Sequence, residues 1–216
     1  AIDRDEIVST AEFGMAMPSG PIPSSVKKWA KNVKLLPFSR PNLKKAKELL
    51  TQAGYPDGFS FKIVCSPTYE GGIAVAQVIQ NQLKKIGLKP ELEVLEWGIY
   101  IDRWKKRDFD SMVELRGGDP DPDRFLYRIL HSKGAVNNFL FKDEEVDKLL
   151  EEGRKLTKYE ERKPIYDKLQ VLISEKTPVI FLYVPYETQI LKPYVKGFKQ
   201  VGNGALYYLA RTWIEK

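Results

Sequence analysis

The sequence has 216 residues, of which 43% are hydrophobic, and a formal net charge of +6 at neutral pH. This length allows one substantial core, but the longest apolar run, at 178–185, is far shorter than the roughly 20 residues of a membrane-spanning helix. A single cysteine and a single histidine exclude an internal disulfide and a dense zinc site of the usual ligands. Lysines interleaved with glutamates predict solvated helix faces rather than a nucleic-acid-binding stripe.

The first part of the chain combines two predicted helices with an irregular connection. Residues 3–13 have helical spacing, and the proline-rich segment 14–25 predicts an irregular path. Asn42 is a predicted helix cap and Gly54 a predicted helix stop. The apolar face between them consists of Leu43, Ala46, Leu49 and Leu50.

Residues 59–115 alternate between strand and helix patterns. Strands are predicted at 59–65, 88–95 and 109–115, with helices at 71–86 and 99–107 between them. Such alternation predicts an α/β sheet with crossover connections. Cys65 lies in the first strand, inside an apolar run, and is predicted to be a buried, unreactive thiol.

The rest of the chain is predicted to be mainly helical. A proline-rich turn at 117–123 precedes a short helix at 124–131, for which Asp123 is the predicted cap. Two longer helices follow, and the second is predicted to start at a capping box of Thr157 and Glu160, with Pro164 kinking it or shifting its start. Their predicted apolar faces are Val146, Leu149, Leu150 and Gly153, then Ile165, Leu169, Leu172 and Ile173. Two extended segments at 178–191 and strands at 195–213 complete the prediction.

Several motifs, in a fixed order, resemble the extracytoplasmic solute-binding proteins of the oligopeptide, dipeptide and nickel ABC transporters (family 5). They are AIDR at 1–4, LKKAKELL at 43–50, AGYPDGF at 53–59, LKKIG at 83–87, LEW at 95–97, DFD at 108–110, DPDPD at 119–123 and VDKLL at 146–150. Together the motifs span nearly the whole chain.

The resemblance implies an α/β fold of the periplasmic-binding-protein-like type (class II, cluster C), in which a mixed sheet is flanked by helices. It implies that residues 1–38 belong to the first lobe or linker, 39–192 form the second, carboxy-terminal ligand-binding lobe, and 193–216 return to the first lobe. The chain is then expected to be the carboxy-terminal part of a longer protein. A signal peptide, often followed by a lipidated cysteine, is expected in the missing portion.

The implied function is the capture of oligopeptides, dipeptides or similar solutes for the membrane permease subunits of an ABC importer. The resemblance implies an extracytoplasmic, membrane-anchored protein, monomeric when intact, with no catalysis, no cofactor, no metal and no nucleic-acid partner. One alternative is an oligosaccharide-binding protein of the same family. Alternatives of other classes are a hydrolase using paired carboxylates such as Asp119 and Asp121, and a stand-alone interaction domain whose basic surface contacts an acidic partner.

Two aromatic residues are candidate ligand contacts. Trp97 is predicted to end a strand, where α/β sheets commonly present ligand-facing groups, and the resemblance implies that it lines the pocket. The alternative is a core or lobe-surface tryptophan. Tyr69 precedes Gly71 and Gly72 at the start of a predicted helix, where a structural turn is preferred over an anion-binding loop.

Arg116 and Asp119 follow the predicted strand 109–115 and complete the candidate site. Counted forward from the DFD motif, Asp119 matches the family aspartate that takes a peptide's amino terminus; counted backward from DPDPD, that aspartate falls on Gly118. A turn or helix-capping role for Asp119 therefore stays open. Arg116 is predicted either to pair with a ligand carboxylate or to be a surface arginine or one bonded to Asp119 or Asp121. His131 is predicted to be structural or on the surface.

Overall fold

In the computed structural model, which describes residues 1–69, 71–200 and 206–215, three parallel strands form the central sheet. They are β2 (Ser60–Cys65), β3 (Lys89–Val94) and β4 (Ser111–Met112), in the order β3-β2-β4. The strand–helix alternation predicted this α/β arrangement. The third strand has only two residues instead of the seven predicted, and the antiparallel strand pairs lie outside this sheet.

Two helices provide the crossovers of the sheet. Helix α3 (Gly72–Lys84) joins β2 to β3, and α4 (Trp97–Lys106) joins β3 to β4. Ala76 of α3 packs against Ile63 and Cys65 of β2. Cys65 is fully buried, and this burial raises the pKa of its thiol, so the prediction of a buried core thiol is confirmed.

The amino-terminal helix α1 (Arg4–Ala11) packs on the outer side of α3. Asp3 caps α1, and Ile7 and Ala11 contact Val75 and Val78. Strand β1 (Ala16–Pro18) then pairs antiparallel with β5 (Tyr183–Pro185). The first 18 residues are thereby attached both to the central α/β layer and to the later part of the chain.

A second core lies among three helices: α5 (Pro122–Leu130), α6 (Glu144–Lys155) and α7 (Tyr159–Lys176). The predicted inner face of α6 is confirmed, since Val146, Leu149, Leu150 and Gly153 are its buried residues. Trp29 inserts into this core against Tyr166 of α7. His131 is structural: it is buried, and its ring stacks on Tyr127 at a centroid distance of 4.1 Å.

The predictions for α7 need two corrections. Its capping residue is Lys158, which makes no side-chain capping bond, so the predicted Thr157–Glu160 capping box is wrong. Pro164 lies within the helix at its sixth position, past the start. The buried face consists of Tyr166, Leu169, Gln170 and Ile173, while the predicted Ile165 and Leu172 are only partly buried.

Helix α2 (Leu43–Gln52) forms where the sequence places it but buries no residue. The Asn42 side chain accepts a hydrogen bond from the Lys45 amide, and Gly54 follows the helix with a φ of +87°. Leu43 and Leu49, on the predicted apolar face, remain 38% and 46% exposed.

The carboxy-terminal segment contains one short antiparallel pair, β6 (Val195–Lys196) with β7 (Trp213–Ile214). Short 3-10 helices span Val33–Leu35 and Tyr207–Arg211. Of the extended segments predicted at 178–191, only β5 is a strand. The strands predicted at 195–213 include residues 201–205, which lie outside the described residues. Within the described ranges, no helix is long and apolar enough to cross a bilayer.

Candidate functional site

The carboxyl ends of the three parallel strands meet at one edge of the sheet. The segment after β2 carries Tyr69, the segment after β3 carries Trp97, and the segment after β4 carries Glu114 and Arg116. Side chains from three separate parts of the sequence therefore converge, as is usual at ligand sites of open α/β sheets.

Three aromatic rings form the centre of this edge. Trp97 stacks on Tyr100 with a centroid distance of 5.6 Å and an interplanar angle of 12°. The Tyr69 ring lies edge-on to both, at 5.3 Å from Trp97 and 5.6 Å from Tyr100. Tyr100 is 1% exposed and donates its hydroxyl hydrogen to the Val113 carbonyl at 2.8 Å, whereas Trp97 is 37% exposed. The cluster thus has a fixed buried base and an accessible indole.

Trp97 reaches this position from a helix rather than from a strand. The structure contradicts its predicted place at a strand end, because β3 stops at Val94 and Trp97 is the first residue of α4. The Glu96 side chain caps the helix by accepting a hydrogen bond from the Gly98 amide at 2.8 Å. Tyr100 follows Trp97 by three residues, so the two rings lie on one helix face.

Arg116 is paired with a residue that the sequence analysis did not name. Its guanidinium contacts the Glu114 carboxylate at 2.5 Å, and both side chains are about one-fifth exposed. The predicted bond to Asp119 or Asp121 is therefore wrong. Arg116 also lies 5.9 Å from the centroid of the Trp104 ring. Glu114 neutralises Arg116, so this guanidinium is not an isolated cation.

The same ion pair influences the tyrosines of the cluster. Burial, followed by the negative charge of Glu114, raises the pKa of Tyr69 and of Tyr100 above the ordinary phenol value. Both phenols are therefore neutral at physiological pH, and they provide hydroxyl donors and apolar ring faces. Such a surface suits neutral or amphipathic ligand groups.

Asp119 lies in a small cavity beside the aromatic cluster. This cavity of about 160 Å³ is lined by Arg116, Gly117, Asp119, Phe125, Arg128, Ile129 and Val136. The only ion pair of the Asp119 carboxylate within the described residues is a 3.5 Å contact with Arg124, whose side chain is 70% exposed. The structure thus brings Tyr69, Trp97 and Arg116 together, with Asp119 in the adjoining cavity that Arg116 also lines.

The neighbouring aspartates have structural partners. Asp121 caps α5 by accepting a hydrogen bond from the Asp123 amide at 2.9 Å, so the prediction that Asp123 is the cap is wrong. Asp121 also forms a bidentate ion pair with Arg162 at 2.6 and 2.8 Å, and Asp123 pairs with Arg154 at 3.1 Å. The hydrogen bonds from Arg162 lower the pKa of Asp121. The described residues contain no cluster of three or more metal-ligating side chains.

The turn before α3 is closed by two residues that the sequence analysis missed. The Tyr183 hydroxyl donates to the Glu12 carboxylate at 2.6 Å. Gly71 adopts a φ of +74°, and a Cβ there would lie only 2.4 Å from the same Glu12 carboxylate. The predicted structural role of this glycine turn is supported, because a protein carboxylate occupies the space that a bound anion needs.

Local patterns signal two other residues that the sequence analysis missed, Tyr100 and Glu114. Tyr100 follows Trp97 at helical spacing. A helix predicted to start at residue 97 instead of 99 therefore places both rings on one face. Glu114 and Arg116 are two apart in an extended segment, so their side chains point to the same face. The contact between Glu12 and Tyr183 joins residues 171 apart, and no local pattern signals it.

Comparisons with known proteins agree with this fold. The chain is 29% identical to the oligopeptide-binding protein AppA of Bacillus subtilis, in a match that covers 100% of this chain and 42% of that relative. It is 30% identical to heme-binding protein A of Haemophilus influenzae, covering 96% of this chain and 39% of the relative. The structure of the periplasmic binding protein DppA of Helicobacter pylori, in complex with the peptide STSA, matches with a TM-score of 0.85, at 29% identity, over all of this chain and 42% of that one.

The chain therefore spans about two-fifths of the length of these relatives. The family model described as bacterial extracellular solute-binding proteins, family 5 (middle region), matches residues 1–137, which is more than half of the chain. The α/β fold and the order of the motifs agree with that match. The chain belongs to the family 5 bacterial extracellular solute-binding proteins.

Proposed function

We propose that this chain supplies one wall of the ligand cleft in the substrate-binding component of an ABC importer, and that its ligand is a peptide. The observation that carries the proposal is the accessible Trp97, stacked on the immobilised Tyr100 at the carboxyl edge of the parallel sheet. A flat aromatic surface of this kind covers side chains of many shapes, because its contact is apolar and not directional.

The Asp119 carboxylate supports a peptide over a simple anion. Arg116 is neutralised by Glu114, while the Asp119 carboxylate has only a long contact with an exposed arginine. A carboxylate with only this long ion pair, in a partly enclosed cavity, suits an ammonium group through charge-assisted hydrogen bonds. We therefore assign Asp119 to the amino terminus of the peptide. Trp97 and Tyr69 are assigned to its side chains.

The proposed partners follow from the family. Ligand-dependent closure over the cleft changes the population of the form that a membrane permease recognises, and no chemical step is needed. The relatives reported above are named as binding proteins, in agreement with a role without catalysis. We propose an extracytoplasmic location and a membrane anchor for the intact protein.

The division into lobes is also a proposal. The boundaries 1–38, 39–192 and 193–216 remain a prediction. The contacts of α1 with α3, and of Trp29 with Tyr166, support counting residues 1–38 with the same lobe as 39–192.

A thermal-shift screen tests the proposed ligand class. The chain is heated with pooled di- to pentapeptides, with haem and with pooled oligosaccharides, because a ligand of the folded state raises the melting temperature by mass action. We expect a concentration-dependent rise with peptides that is reduced in Asp119→Ala and retained in Asp110→Ala, a control at the opposite end of β4. A rise with haem or sugar alone would contradict the peptide assignment.

A further inference from the structure

A cavity of about 870 Å³ lies between the start of α1, the end of β1 and residues 27–41. It shares no lining residue with the aromatic site or with the small cavity around Asp119. Its walls carry five cationic side chains, Arg4, Lys27, Lys31, Lys34 and Arg40. Among the described residues, the only carboxylates in the lining are those of Asp3 and Asp5.

The acids among the described lining residues balance these cations only in part. Ion pairs are frequent elsewhere in the chain, yet none of the five cleft cations pairs with a carboxylate among the described residues. Asp3 is engaged with α1, because its carboxylate accepts hydrogen bonds from the amides of Asp5 and Glu6 at 2.9 and 3.1 Å. The cleft therefore has an excess of positive charge.

The backbone that carries the lysines is held by buried contacts. Trp29 is 6% exposed within the core of the helical region, and the fully buried Gln170 binds the segment twice. The Gln170 amide nitrogen donates to the Trp29 carbonyl at 3.1 Å, and its oxygen accepts from the Lys31 amide at 2.9 Å. The Tyr159 hydroxyl adds a bond to the Lys28 carbonyl at 2.8 Å. Lys27, Lys31 and Lys34 thus project from a fixed scaffold.

Arg4 contributes a partly buried guanidinium. Its Nε donates to the Phe181 carbonyl at 2.7 Å, and one Nη donates to the Ser39 carbonyl at 3.3 Å. Burial lowers the pKa of Arg4, and no described carboxylate offsets this cost. The second Nη has no protein acceptor within the described residues. An oxyanion in the cleft would satisfy this donor and relieve the desolvation of the charge.

We propose that this cleft is a second binding site, separate from the proposed peptide site, for a ligand bearing phosphate groups. With Asp3 and Asp5 counted against the five cations, three positive charges are in excess. One carboxylate would balance one of these three, whereas a phosphate group brings up to two charges and several acceptor oxygens. The volume allows more than one phosphate or a phosphorylated headgroup. The ligand is either a soluble polyphosphate or the phosphodiester headgroup of a lipid, since both have the same recognition chemistry.

Calorimetry of the complete 216-residue chain with tripolyphosphate tests the proposal. The test variant combines Lys27→Ala, Lys31→Ala and Lys34→Ala; the matched control combines Lys44→Ala, Lys45→Ala and Lys47→Ala in the exposed helix α2, with the same loss of charge. We expect the cleft variant to weaken binding by about tenfold, as for the loss of several charge-assisted contacts, and the control by less than about twofold. Equal weakening in the two variants would show an effect of net charge and would overturn the proposal.

Two further arms identify the source of the phosphate. Sedimentation with phosphatidylglycerol vesicles that fails for the cleft variant would identify a lipid headgroup, and binding of tripolyphosphate alone would identify a soluble ligand. Binding of polyglutamate as tight as that of tripolyphosphate, or no binding to either phosphate probe, would contradict the proposed site. The peptide-dependent thermal shift is expected to be the same in both triple variants, so this test is independent of the proposed transport function.

Discussion

Two groups of residues with nearly the same composition have different environments in this molecule. Each contains one tryptophan, two tyrosines and an arginine paired with an acidic residue. The helical group consists of Trp29, Tyr159, Tyr166 and Arg162 with Asp121. The sheet-edge group consists of Tyr69, Trp97, Tyr100 and Arg116 with Glu114.

The difference lies in what covers the indole ring. Trp29 is 6% exposed, packs edge-on against two tyrosines and has the Arg162 guanidinium 5.0 Å from its ring. Trp97 is 37% exposed, because only one of its faces is stacked on Tyr100. Residue types alone therefore do not separate a core cluster from a ligand surface. The sheet-edge group, which is the proposed ligand surface, differs in its position at the carboxyl edge of the parallel sheet and in its open ring face.

The largest effect is expected from Trp29→Ala. Removing a buried tryptophan from the helical core should cost about 3–5 kcal/mol of unfolding free energy, since it leaves a cavity between α7 and the segment that carries Trp29. Denaturant unfolding followed by circular dichroism measures the loss. The matched control is Trp213→Ala, which removes a 58% exposed indole and should change stability by less than about 1 kcal/mol. A similar loss in both variants would remove the distinction between core and surface tryptophans.

Trp97→Ala is expected to affect binding more than folding. Loss of the stacking surface should weaken peptide affinity by about tenfold, equivalent to about 1.4 kcal/mol. The unfolding free energy should change less in Trp97→Ala than in Trp29→Ala. Calorimetry with a peptide found in the thermal-shift screen gives the affinity. Unchanged affinity in Trp97→Ala would contradict a ligand role for the sheet-edge cluster.

A smaller effect is expected at the ion pair of the helical group. Asp121→Asn preserves the helix cap, because asparagine caps as well as aspartate, but removes the charge that Arg162 binds. Asp121 is half exposed, so solvent screening limits the loss to about 1 kcal/mol or less near pH 7.

The pH dependence of this pair has a defined sign. The hydrogen bonds from Arg162 lower the pKa of Asp121 in the folded state, so the carboxylate stabilises the fold above its unfolded pKa of about 4. That contribution disappears as the pH falls through the lower, folded pKa. Unfolding of the parent and Asp121→Asn should therefore differ at pH 7 and converge as the pH is lowered through the folded pKa of Asp121. A difference that is constant with pH would contradict an ionic origin.

The smallest effect is expected from Glu114→Gln. Without the glutamate charge Arg116 becomes available, and affinity for peptides with acidic side chains should rise by about two- to threefold relative to neutral peptides. Competition calorimetry at low and high salt measures the ratio, which should decrease as salt screens the charge. The control is Glu114→Asp, which keeps the charge and should preserve the parent preference.

The parts of the fold that local rules govern were predictable from the sequence. The buried face of α6 follows from helical periodicity, and the Asn42 cap and Gly54 stop of α2 follow from backbone hydrogen bonding. The cap of α5 was also within reach, since Pro122 at the first helical position marks Asp121 as the residue before it. The prediction of Asp123 as the cap assumes that Pro122 belongs to the preceding turn and not to the helix.

Other features depend on tertiary contacts that no local pattern encodes. The capping position of α7 is occupied by Lys158 and not by Thr157, although Thr157 and Glu160 have the spacing of a capping box. The Arg162–Asp121 pair joins residues 41 apart, and Gln170 binds a loop 139 residues away. For the candidate site, the sequence analysis named Tyr69, Trp97, Arg116 and Asp119, and their ligand roles stay a prediction. The pairing of Arg116 with Glu114 was not predicted.

Nuclear magnetic resonance of the indole N–H groups tests the central claim most directly. The chain has four tryptophans, and single Trp→Phe variants assign their four indole signals. On titration with a peptide found in the thermal-shift screen, the account predicts a saturable shift of the Trp97 signal and no shift of the Trp29 signal. A peptide that binds by calorimetry but leaves the Trp97 signal in place would contradict the assignment of the sheet edge as the ligand site.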